Sequence, residues 1–211
     1  MINDKPWAEL LKEISRKREI KAEVIFAHAW GDLHNESIRF VFGLKKRLHV
    51  KYILLNGANE YEIGCPGFNY WKEKLVLLGV REKEIVAMNP AMNTQEEARE
   101  FVQFLKNKKL TRAIVYSVPQ HILRAFLTDL GVMDAIKFKG EIYPAALKGI
   151  NFDEVIQINP LANKQEKTTR LGRFAEEIER INDYRKKYLE GDKNFTIASV
   201  QRGLEYLRNL N

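Results

Sequence analysis

Residues 22–32 read AEVIFAHAWGD, a compact apolar run through Val24, Ile25 and Phe26 that stops abruptly in the polar sequence His28-Ala29-Trp30-Gly31-Asp32. A run this short, rich in β-branched and aromatic residues and ended by turn formers, reads as a strand followed by a loop. The pattern recurs at Val50–Leu55, which stops at Asn56-Gly57-Ala58-Asn59, at Glu84–Met88, and at Arg112–Ser117. Between these runs the apolar residues change to helical spacing. Ile38, Phe40, Val41 and Leu44 mark one helix over about 35–47, and a second over 69–78 stops at Gly79.

Thr94 and Glu97 have the T-x-x-E spacing of a capping box and open a helix to about Asn107. Pro119 suits the first turn of another, expected to end near Gly131. Strand alternating with helix produces a parallel sheet covered on both faces, joined by right-handed crossovers. The expected fold is therefore an α/β, Rossmann-like three-layer sandwich with a mostly parallel sheet.

Outside this core, Trp7, Leu10, Leu11 and Ile14 predict a short docking helix, and one or two further strands fall within 136–143 and 154–158. From about 164 to 211 the chain reads as a helical extension. Phe174, Ile178 and Ile181 form one stripe, Ile197, Val200, Leu204 and Leu207 another, and Gly191 lies between them. With 211 residues, no internal repeat and no low-complexity linker, residues 1–211 are expected to form a single domain.

The formal charge is +7, yet over 164–211 the basic residues are interleaved with acids, as on solvated helix faces. No zinc-finger spacing, RNA-recognition signature or long basic run accompanies the charge, which argues against a nucleic-acid surface. Cys65 is the single cysteine, so an internal disulfide and a cysteine-based metal cluster within one chain are excluded. It has no basic neighbour to activate it as a nucleophile. There is no signal-peptide-like apolar stretch and no apolar run of about 18 residues to span a bilayer, so no membrane insertion and a cytoplasmic location are expected.

In such sheets the loops at the carboxyl ends of the strands converge on one rim. Here those loops are 28–32, 56–60, 89–94 and 117–124. Ser117 closes a strand, and His121 and Arg124, three residues apart, share one face of the following helix. Histidine transfers protons near neutral pH, and arginine holds a carboxylate or phosphate in a two-pronged fork, aided by a helix N-terminus. His121, Arg124 and Asp32 are thus the candidate catalytic groups. His28, Trp30, Gly31, Asn56, Gly57, Glu60, Asn93, Thr94 and Ser117 are the candidate ligand contacts. His28, Asp32 and His121 lack recognisable metal-ligand spacing, and no metal is assigned to them.

These segments resemble the YdcF/SanA/ElyC-like family over about residues 22–132. Asn56-Gly57 matches its second-strand turn, Asn93-Thr94 its Asn-Thr pair opening a helix, and Ser117, His121 and Arg124 its hydroxyl-x-x-x-His-x-x-Arg segment. Ser117 stands where threonine is more usual, His28-Ala29-Trp30-Gly31 replaces a Gly-rich turn, and Gly67 falls near the place of an acid for which Glu60 or Glu62 would substitute. The resemblance implies a Rossmann-like fold and links the chain to cell-envelope processes or to S-adenosylmethionine binding.

Three functions are compatible with these readings. The chain acts on a small phosphorylated or nucleotide-linked substrate. Alternatively it binds a nucleotide or S-adenosylmethionine without turnover, with Trp30 or Tyr61 stacking on the base. In the third, its basic C-terminal helices engage nucleic acid or protein.

Overall fold

The computed structural model describes residues 5–28, 33–58, 66–158 and 166–210. Five parallel strands, β1 (Val24–Ala27), β2 (Tyr52–Leu55), β3 (Ile85–Ala87), β4 (Arg112–Tyr116) and β5 (Glu141–Ala145), form one sheet in the order β3-β2-β1-β4-β5. The strands alternate with α2 (His34–Leu48), α3 (Gly67–Leu77), α4 (Thr94–Lys108) and α5 (Ile122–Ala135), preceded by α1 (Lys5–Ser15). This is the expected α/β sandwich of Rossmann type. The strand order reverses between β1 and β4, and such a switch point opens a crevice beyond the strand ends.

Alternation along each strand divides the core in two. Val24, Phe26, Leu54 and Val115 pack with Phe101, Leu105, Leu123 and Phe126 of α4 and α5. Ile25, Ile53, Leu55 and Ile114 pack on the other face with Ile38, Val41, Trp71 and Leu75 of α2 and α3. Because both faces are covered, β1 is apolar at every position, and its four residues are all buried. Pro144 lies in β5, an edge strand, where a missing ladder donor is tolerated.

After β5 come β6 (Val155–Ile158) and β7 (Glu166–Thr169), an antiparallel pair. Then follow α6 (Arg170–Leu189) and α7 (Val200–Asn209). The reading of 164–211 as helical missed β7, whose sequence EKTT carries no apolar alternation. Nor does α5 stop at Gly131. The glycine sits inside the helix because an added Cβ would lie 2.6 Å from the Ala198 backbone nitrogen and 2.7 Å from the Ile197 carbonyl carbon. It is a packing glycine, letting the chain before α7 lie against α5.

The cap of α4 is displaced by one residue from its expected position. Asn93 is the N-cap, its side chain accepting the Glu96 N–H at 3.0 Å, and the Glu96 carboxylate reaches back to the Met92 N–H at 2.7 Å. The box is therefore Asn93–Glu96. Thr94 and Glu97 are released to point inward, where they are 4% and 0% exposed.

Candidate functional site

Beyond the switch point between β1 and β4 the chain buries an unusual amount of charge. His28, Asn56, Thr94, Glu97, Ser117, His121, Arg124, Asp129 and Glu177 are all buried. His28 directly follows β1, and its amide extends the ladder to the Tyr116 carbonyl at 2.9 Å. Its ring packs on Phe26, 4.2 Å between centroids, and meets the His121 ring edge-on at 6.1 Å.

The His28 ring is held between two carboxylates, Nδ1 at 2.8 Å from Glu97 and Nε2 at 3.1 Å from Asp129. Burial by itself lowers the pKa of a histidine, but the charges of Asp129 and Glu97 outweigh that and raise this one to about 9. His28 is an imidazolium at neutral pH, donating from both nitrogens, and has no lone pair for a metal or for taking up a proton. Asn56 completes this half. Its amide donates to Glu97 at 3.1 Å and to the Ala91 carbonyl at 2.7 Å, and its Oδ1 accepts from the Ala58 and Ala91 amides.

The second half is built on His121 and Arg124. His121 Nδ1 lies 2.9 Å from Glu177 of α6, and its Nε2 lies 3.4 Å from the Thr94 hydroxyl. Arg124 donates through Nε and, at 3.3 Å, through Nη2 to the same Glu177 carboxylate, and through Nη1 to Thr94 at 2.9 Å. Arg173 adds a further contact to Glu177 at 3.1 Å. Burial and the adjacent Arg124 guanidinium depress His121 to about 4 against the pull of Glu177. Burial alone would raise the Glu177 carboxyl, but the groups donated by His121 and Arg124 hold it well below the usual carboxylate range.

A neutral His121 satisfies every bond in this half. Nδ1–H donates to Glu177, and Nε2 accepts from the Thr94 hydroxyl, whose oxygen in turn accepts from Arg124. Hydroxyl, imidazole and carboxylate thus stand in line, the arrangement in which a base is oriented by a third group.

The structure gathers His28, Asn56, Thr94, His121 and Arg124 into one buried cluster. Asn93 stays outside as an exposed helix cap, its side chain committed to Glu96. Gly57 is needed for a reason other than a ligand, since a Cβ there would lie 2.2 Å from the Met88 carbonyl oxygen. Arg124, expected to hold an external anion, holds the chain's own Glu177. Ser117 is buried with no hydrogen bond from its hydroxyl to any described residue. Asp32, Trp30, Gly31 and Glu60, with Tyr61, Glu62 and Cys65, lie outside the described residues.

Sequence reasoning missed the three acids that organise the cluster, though each left a trace. Asp129 is an isolated charge within the otherwise apolar stretch FLTDLGVM. Glu177 occupies the same stripe as Phe174, Ile178 and Ile181, and Glu97 the same stripe as Ala98, Phe101 and Val102. Among the described residues no group of histidine, cysteine, aspartate and glutamate is placed to hold a metal ion. No helix among them is long and apolar enough to cross a membrane. Compared with known proteins, the chain matches no family model and no curated protein.

Proposed function

We propose that the chain binds a small anionic ligand, phosphorylated or nucleotide-like, at the carboxyl ends of its strands, and exchanges a proton with it through His121. One observation carries this reading: His121, Arg124 and Arg173 converge on a single buried carboxylate, that of Glu177. A cage of donors around one carboxylate suits a phosphate or carboxylate equally well. Glu177 then acts as an internal occupant that an entering anion displaces from Arg124 and Arg173, and the anion, taking its place beside His121, supports the basicity of Nε2 as Glu177 does. The gathering of Thr94, His121 and Arg124 also supports a distant relation to the YdcF/SanA/ElyC-like family.

A role for the C-terminal helices in binding nucleic acid is less well supported, because several of their cations are already engaged: Arg173 by Glu176 and Glu177, Lys187 by Asp183 and Arg202 by Asp134. Thermal unfolding with inorganic phosphate, nucleoside mono- and triphosphates, sugar phosphates and S-adenosylmethionine tests the proposal. At a ligand concentration about a hundredfold above Kd the wild-type chain gains about 2.7 kcal/mol. Glu177→Ala lowers the ligand-free midpoint but enlarges the ligand-induced shift, and Arg124→Ala abolishes that shift. Absence of stabilisation by every ligand in the panel, in both wild type and Glu177→Ala, overturns the reading.

A further inference from the structure

A cavity whose lining includes no residue of the polar cluster reaches Pro119 and Ile122. It measures about 980 Å³ and is walled by α1, α2, the end of β5 and the start of α6. Its interior is apolar, with Leu11, Ile14, Phe40, Leu44, Ile122 and Phe174 facing the space. The chain leaving β5 lines the space with the small Ala145 and Ala146 and with Leu147 and Ile150. Phe152 stands edge-on to Phe174 at 6.1 Å and is 36% exposed, and Leu171 on the same wall is 53% exposed.

Among the described residues the charged groups at this cavity are all cations: Arg16, Lys17, Arg18, Arg47 and Lys148. Glu13 lies behind them and pairs with Arg16 and Arg18, and Arg18 also donates to the Leu207 carbonyl. Lys17, Arg47 and Lys148 are exposed and make no ion pair among the described residues. An apolar chamber of this size lies at the upper end of the range of about 300–1,000 Å³ typical of small-molecule sites. Water gains little from apolar walls that offer it no hydrogen bonds. A one-signed rim selects the charge of whatever enters.

We propose that this cavity binds a long-chain fatty-acid anion, with its hydrocarbon tail against Phe40, Ile122 and Phe174 and its carboxylate at Arg47, Lys17 and Lys148. The apolar interior accounts for the tail, and the uniformly cationic rim for the anionic head. The site is separate from the polar cluster, and the inference does not depend on the function proposed for that cluster.

Fluorescence titration of the full chain with cis-parinarate, followed by competition, tests it. Saturable one-to-one uptake is expected, reversed by palmitate but neither by acetate, which lacks the tail, nor by hexadecylamine, which carries the opposite charge. Arg47→Glu combined with Lys148→Glu weakens palmitate binding by about tenfold or more through the lost charge complementarity. Ala146→Trp fills the chamber and abolishes uptake. Leu171→Glu, at an exposed position that tolerates charge, lowers affinity if Ala146→Trp does not fold. Uptake that fails to saturate, that persists unchanged in folded Ala146→Trp or Leu171→Glu, or that hexadecylamine reverses as well as palmitate does, overturns the proposal. So does binding to phosphatidylglycerol vesicles without binding of monomeric cis-parinarate.

Discussion

Two buried histidines stand 6.1 Å apart at the end of the same sheet, each against a carboxylate, and they hold opposite protonation states. His28, between Glu97 and Asp129, is driven up to about 9, whereas His121, between Glu177 and a hydroxyl with Arg124 alongside, is driven down to about 4. Burial pushes both in the same direction, so burial does not separate them. The difference lies in who neutralises the acid: among the described residues Glu97 and Asp129 pair with His28 alone, while Glu177 already has Arg124 and Arg173. The histidine whose acids lack another cation must carry the charge itself. The one whose acid is already paired stays neutral and available for proton transfer.

The strongest challenge to this contrast is to remove the cation that only one half needs. His28→Ala leaves Glu97 and Asp129 buried with no counter-charge, and is expected to destabilise the chain by about 3–5 kcal/mol in urea unfolding. A loss below about 1 kcal/mol, the scale of an exposed ion pair, would show that the pair does not depend on His28 for its charge.

The pH dependence of stability tests both halves together. His28 has a folded pKa above its unfolded value of 6.5, so its contribution is complete below pH 6.5 and is lost as pH rises through about 9. His121 has a folded pKa below 6.5, so its contribution is present above pH 6.5 and is lost as pH falls through about 4. The two limbs meet near pH 6.5, each amounting to about 3 kcal/mol by linkage. Comparing wild type with His28→Gln should remove the alkaline limb, and comparing it with His121→Gln the acid limb, in unfolding measured across pH 4–9.

The finest test concerns the bond that the Thr94 hydroxyl donates to the neutral His121. Thr94→Val retains the shape but removes the donor to Nε2 and the acceptor for Arg124, costing about 1–2 kcal/mol. With the neutral imidazole less favoured, the His121 titration followed by NMR is expected to move upward. A downward move would mean that Thr94 does not donate to Nε2.

The sheet was legible in the sequence because β1, β2 and β4 are apolar runs buried on both faces, cut off by His28, Asn56 and Ser117, and strand ends of this type leave a sharp boundary. β7 was not, because EKTT is held by pairing with β6 rather than by a face of its own. The site was half legible. His121 and Arg124 were found because three-residue spacing on a helix is local information. Glu177 was not assigned to them because it reaches Arg124 from 53 residues further along the chain. Glu97 was misread for a local reason: T-x-x-E and N-x-x-E overlap by one residue in NTQEE, and the helix uses the Asn93–Glu96 pair.

The contribution of α6 to the cluster has a consequence for synthesis. All five strands of the sheet are made by Ala145, whereas Glu177 follows 32 residues later. Until α6 docks, His121 and Arg124 lack their internal carboxylate. Docking of α6 is then the step that neutralises Arg124.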